Sequence, residues 1–91
     1  MRKKGADAKF LMRRLILEQL EAASPAWLSF ETMLVGLECA GLKCGKEVLV
    51  SETDYLCQKG LVEVSCSHIS AAHLRAKITA KGRDYLEGGE D

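Results

Sequence analysis

The side chains of this sequence with the greatest capacity for metal or redox chemistry are Cys39, Cys44, Cys57, Cys66, His68 and His73. Structural zinc sites gather their ligands in close pairs of the C-x-x-C kind. Here four, twelve and eight residues separate successive cysteines, and only Cys66-Ser67-His68 and His73 sit near one another. Cys57 falls on the predicted inward side of a helix, where a free cysteine behaves as a small buried hydrophobe. The expectation is therefore four thiols, no metal and no cofactor. An even cysteine count also fits a disulfide framework, but long periodic segments can supply a core without such staples. No serine, cysteine or carboxylate stands in a nucleophile or acid/base pattern, and no glycine-rich loop follows a strand to cradle a phosphate, so an enzyme is not expected.

The remaining chemistry is that of charge. Lysine and arginine balance aspartate and glutamate at 13 each, giving a net charge of +0, but they are segregated. Up to Arg14 the six cations Arg2, Lys3, Lys4, Lys9, Arg13 and Arg14 face Asp7 alone. From Leu15 to Ser65 the eight carboxylates of Glu18, Glu21, Glu31, Glu38, Glu47, Glu52, Asp54 and Glu63 outnumber Lys43, Lys46 and Lys59. A basic arm joined to an acidic middle is the resulting pattern. Solvated helix faces account for the middle equally well.

The elements that must position these groups follow from periodicity. The 91 residues, 47% of them hydrophobic, suit one small domain. Residues 1–8 read as a basic flexible arm, 9–87 as the domain and 88–91 as a solvated tail. Phe10, Leu11, Leu15, Leu17, Leu20 and Ala23 recur near helical spacing, with Arg13, Arg14, Glu18 and Glu21 assigned to the opposite side. Because charges flank Leu15-Ile16-Leu17, this stretch reads as a helix face and not the apolar centre of a signal peptide, and the expected compartment is the cytoplasm. No apolar run approaches the roughly 20 residues that cross a bilayer.

Ser24-Pro25 ends the first helix, since proline disfavours a helical predecessor and lacks an amide donor. Ala26-Trp27-Leu28 reads as extended. Ser29 can cap a second helix whose apolar side is Phe30, Met33, Leu34 and Leu37, with Gly41 as its left-handed stop. After the turn Leu42-Lys43-Cys44-Gly45, a third helix is expected from Lys46 to Lys59. Leu49, Thr53, Leu56 and Cys57 should face the core, and Lys46, Glu47, Val50, Ser51, Asp54 and Tyr55 should face outward or lie at the margin. Val48, Leu49 and Val50 cannot all point inward. Leu61–Cys66 and Ala72–Ile78 read as two strands, the second alternating His73, Arg75 and Lys77 with Leu74, Ala76 and Ile78. A short helix through Leu86 closes the chain.

Two stretches, Tyr55-Leu56-Cys57-Gln58-Lys59-Gly60-Leu61-Val62 and Ile78-Thr79-Ala80-Lys81-Gly82-Arg83-Asp84-Tyr85-Leu86, together resemble the winged helix-turn-helix family. In that family the recognition helix ends in a leucine, a few polar residues and a glycine, two wing strands follow, and a T-x-K-G-R-x-Y-L helix closes the domain. The resemblance covers most of residues 10 to 87, and within the family it is most like the small single-domain proteins of Mu-like prophages. It implies an α+β fold with a three-helix core, a β-hairpin wing, a short strand at 26–28 that pairs with the wing, and a short C-terminal helix. Cys44 stands where the family usually has a buried apolar residue. Gly45 replaces the usual serine or threonine cap.

The resemblance also implies double-stranded DNA as a partner and a bacterial or prophage transcriptional regulator as the function. Helix three would enter the major groove, with Lys46 and Ser51 on its outward side and Lys43 in the turn. Phosphate contacts would come from Arg2, Lys3 and Lys4 in the arm and from Arg75 and Lys77 on the hairpin. Glu47, Glu52 and Asp54 are expected to oppose that approach. The alternative is a protein-interaction or assembly module whose third helix, with Val50 and Tyr55 showing, packs on another protein. A homodimer is expected in either case, because one small domain reads few base pairs and leaves apolar edge residues uncovered.

Overall fold

The computed structural model describes residues 4–65 and 74–89. The chain is α+β, with four helices and a three-stranded antiparallel sheet. Helix α1 spans Lys4–Ala23, strand β1 Leu28–Ser29, helix α2 Phe30–Cys39 and helix α3 Lys46–Gln58. Strands β2 (Val62–Ser65) and β3 (Arg75–Ile78) follow, then helix α4 (Ala80–Asp84), which continues into Tyr85–Gly89 and is broken there by a kink at Gly88 with φ of 100°.

Helix α1 is the member on which the others assemble. Met12, Ile16, Leu17 and Leu20 are buried on one side of it, and α2, α3, β3 and α4 all pack against it. They meet Phe30, Met33 and Leu37 from α2, Leu49 and Leu56 from α3, and Leu61, Val62, Ala76 and Ile78 from the sheet region. Leu15 and Leu34 are half-buried against this cluster. The apolar side of α1 thus differs from expectation. Phe10 and Leu11 are 58% and 48% exposed, and among the described residues of the helix the buried side chains begin at Met12. The helix also starts earlier than expected: it takes in residues 4–8, which the sequence suggested were part of a flexible arm, whereas residues 1–3 lie outside the described residues.

The expected punctuation between helices is present. The Ser29 hydroxyl accepts a hydrogen bond from the Thr32 amide at 3.1 Å and so caps α2. Gly41 and Gly60 adopt φ of 91° and 82°, left-handed values open to glycine without a steric cost, where α2 and α3 end. Gly45 stands at the N-cap of α3 with no side chain to bond.

The sheet has the order β1-β3-β2, with Leu28 and Val64 opposite Ala76, and Val62 opposite Ile78. The first strand lies slightly later than the 26–28 segment expected from sequence. The other two are shorter than expected, and the expected strand residues Cys66, Ala72 and His73 lie outside the described residues. The Phe30 amide donates to the Leu74 carbonyl at 3.1 Å and ties the start of α2 to the edge of β3.

Thr79 joins the two stretches that carry the family resemblance. Its hydroxyl donates to the Gly60 carbonyl at 2.8 Å and accepts from the Gly82 amide at 3.0 Å, and its own amide donates to the Leu61 carbonyl at 3.1 Å. This draws the first turn of α4 so close to the chain at Leu61 that a Cβ on residue 82 would collide with the Leu61 carbonyl oxygen and come within 2.6 Å of Ile78 Cγ1.

Two outcomes follow from this packing. Gly82→Ala should destabilise the fold by about 1–3 kcal/mol, since backbone would have to move, and a lower urea midpoint with an unchanged slope would register it. Thr53, fully buried on α3, leaves its Oγ1 without a hydrogen-bond partner. Thr53→Val removes that buried polar atom at nearly constant shape and should be neutral or stabilising, by up to about 1–3 kcal/mol, in the same assay.

Candidate nucleic-acid interface

The turn that positions α3 is short and opens with two backbone hydrogen bonds. The Gly41 amide donates to Glu38 and the Leu42 amide to Leu37, which reverses the chain at the end of α2. The Gly45 carbonyl then accepts from the Leu49 amide at 3.2 Å and opens α3. From there Leu49, Glu52, Thr53 and Leu56, spaced i, i+3, i+4 and i+7, are buried on one side.

The opposite side is uncovered. Glu47, Ser51, Asp54 and Gln58 are exposed, with half-buried Lys46 and Val50 at the margin. Lys46, Glu47, Val50, Ser51 and Asp54 line a shallow open groove of about 550 Å³. Lys46 Nζ is 2.9 Å from Glu31 Oε2 on α2. Asp54 accepts a hydrogen bond from Gln58 Nε2 at 2.8 Å, one turn on. The groove therefore presents two carboxylates, one hydroxyl, one valine and an ammonium that already shares a carboxylate.

Glu52 corrects the sequence reading. It is only 7% exposed and does not belong to the outward carboxylates. Its Oε1 lies 2.6 Å from Arg13 Nε. Arg13, which the sequence pattern had assigned to the outer side of α1, lies at the inner margin, its guanidinium stacked 3.9 Å from the centre of the Tyr55 ring. Lys59 approaches the same ring at 5.7 Å. The signal was legible: Arg13, Ile16, Leu17 and Leu20 repeat i, i+3, i+4 and i+7 just as Leu49, Glu52, Thr53 and Leu56 do. One opposite charge occupies a core position on each of two packed helices, and desolvation makes them pair.

The expected contact residues that are described lie on several elements. Lys46 and Ser51 share the groove. Lys43 is exposed in the turn that leads into it. Arg75 is exposed on β3, opposite Ser65 on one side and Ser29 on the other. Lys77 is half-buried on the same face of β3, with Nζ 5.0 Å from the centre of the Trp27 ring. Lys4 lies in the first turn of α1, and Arg2 and Lys3 lie outside the described residues. Of the residues considered for metal or thiol chemistry, Cys39, Cys44 and Cys57 are free thiols, and Cys66, His68 and His73 lie outside the described residues. Among the described residues no three histidine, cysteine or carboxylate side chains converge to hold a metal ion, and no helix is long and apolar enough to cross a membrane.

The thiols are not equivalent. Cys39 is exposed at the end of α2, whereas Cys44 is half-buried in the turn, and burial pushes its thiol pKa above the usual 9.0. Less thiolate and less access both slow attack on an alkylating reagent. Iodoacetamide at neutral pH should therefore modify Cys39 before Cys44, and peptide mapping at short reaction times checks the order. Raising the pH towards and beyond the Cys44 pKa should increase its thiolate fraction and narrow the gap.

No family model, curated protein or solved structure matches the chain.

Proposed function

We propose that this chain is a small winged-helix DNA-binding protein, a bacterial or prophage transcriptional regulator that works in the cytoplasm. The carrying observation is the state of α3. One side of it is locked into the core by Leu49, Thr53 and Leu56, while the other is open from Glu47 to Gln58. The helix follows α2 after a tight turn and leads through Gly60 into a three-stranded antiparallel sheet. A rigid helix with one uncovered side is the element that a major groove admits. In this reading Ser51 and Lys46 approach base edges. Lys43, Arg75 and Lys77, with Arg2, Lys3 and Lys4 at the N-terminus, approach phosphates.

The pairing of Glu52 with Arg13 supports the reading, because it takes one carboxylate off the surface that would face a polyanion. Glu47 and Asp54 remain there. They favour the second reading, a protein-interaction module, in which the shallow groove around Val50 receives a partner that tolerates or seeks negative charge.

Fluorescence anisotropy with mixed-sequence duplex DNA at low salt separates the two. The regulator reading expects binding, with Arg75→Ala and Lys43→Ala each lowering the slope of log K against log salt by about 0.9. Ser51→Ala should change which sequence is preferred. Glu47→Gln and Asp54→Asn should each tighten binding about two- to fivefold by removing repulsion, whereas Glu52→Gln, whose side chain is turned inward, should not. Absence of duplex binding at low salt would remove the regulator reading in favour of the interaction module.

A further inference from the structure

Lys46 is the first residue of α3 and Glu31 the second of α2, and their side chains meet across the turn, with Lys46 Nζ donating to Glu31 Oε2 at 2.9 Å. Both ends of this contact are held by the fold. The Ser29 hydroxyl caps the turn that carries Glu31, where Phe30 and Met33 are buried, and Leu49, within one turn of Lys46, is buried too. A glutamate is favoured at the positive end of a helix dipole and a lysine is not. Lys46 is therefore the member that needs its partner.

The pair changes what Lys46 can do in the groove that it lines with Val50, Ser51 and Asp54. A lysine without a carboxylate beside it is a point charge on a flexible stem, suited to any phosphate within its reach. Paired with Glu31 its charge is offset. The ammonium has three donors, and the bond to Glu31 leaves others for acceptors on a ligand. In a major groove guanine presents two acceptors side by side, O6 and N7, which lysine can reach.

We propose that Glu31 of α2 is a specificity-determining residue of the α3 surface, which withholds Lys46 from phosphates and leaves it to read a guanine edge. This rests on the DNA-binding reading of α3. Glu31 acts through Lys46 and is thus a positioning residue. With side chains 38% and 58% exposed, Lys46 and Glu31 form a pair that adds little to the stability of the fold. Its effect belongs to binding. Glu31→Gln keeps the side-chain length and an acceptor oxygen but removes the charge, so it should leave the urea midpoint nearly unchanged while releasing Lys46.

Anisotropy with mixed-sequence duplex DNA, run on the full chain as wild type, Glu31→Gln, Lys46→Ala and the double variant, tests the assignment. Glu31→Gln should tighten binding at low salt about two- to fivefold and steepen the slope of log K against log salt by about 0.9, as one released ammonium meets a phosphate. In the Lys46→Ala background the same change should alter neither quantity. An equal gain in both backgrounds would overturn the proposal, since Glu31 would then act on DNA by its own charge; so would no gain in either. Selection from a randomised duplex pool should return a guanine with the wild type that Lys46→Ala no longer requires and Glu31→Gln requires less strictly. A preference that ignores both changes counts against the proposal. Without DNA, the nitrogen resonance of the Lys46 ammonium should shift on Glu31→Gln, and an unshifted resonance would show that the pair does not hold in solution. If neither the wild type nor Glu31→Gln binds duplex at low salt, the DNA-binding reading falls and the proposal with it, a result distinct from binding that is indifferent to Glu31.

Discussion

The fold depends on covering one stripe of α1. Met12, Ile16, Leu17 and Leu20 are buried together, and four other elements supply the cover. In a chain of 91 residues the surface-to-volume ratio leaves little core to spare. A single long helix solves this by offering one continuous apolar surface to α2, α3, the sheet and α4 at once. The orientation of α3, and with it the open groove, follows from how Leu49 and Leu56 seat against that surface.

Hydrophobic seating alone tolerates sliding, and the Arg13–Glu52 pair limits it. The two side chains sit at the edge of the α1–α3 contact, 29% and 9% exposed, with Tyr55 stacked on the guanidinium. A pair this poorly solvated gains little net stability over an apolar equivalent, because desolvation offsets most of the attraction. Its directional hydrogen bond nevertheless favours one register of α1 on α3. The same pairing decides the charge of the groove, since a carboxylate on α3 is removed from the side that Glu47 and Asp54 occupy.

At the other end of the molecule backbone contact replaces side-chain bulk. Thr79 bonds to Gly60 and Gly82, and the absent Cβ of Gly82 lets α4 lie against the chain at Leu61. Arg83 adds a hydrogen bond of 3.1 Å to Ser24 beyond the end of α1. The strands are short, and on the outer face of the sheet Lys77 covers Trp27 by a cation–π contact instead of standing free in solvent.

Local physics, written into the sequence, determined most of the elements. The Ser29 cap, the glycines at 41 and 60, the N-terminal boundary of α3 at Lys46 and the inward placement of Leu49, Thr53 and Leu56 all depend on residues within a few positions of one another, and periodicity reads them directly. Phe10 and Leu11 fitted a helical spacing too. Whether a helical apolar residue is covered depends on where the neighbouring elements stop, and that is a property of the packed whole. Arg13 and Glu52 are the other instance. Each occupied a core position in its own helix, but only the approach of α1 to α3 makes a partner available, and without a partner each charge would have faced water. Proximity in space, which spacing along the chain does not encode, decided which carboxylates of α3 remain on its open side.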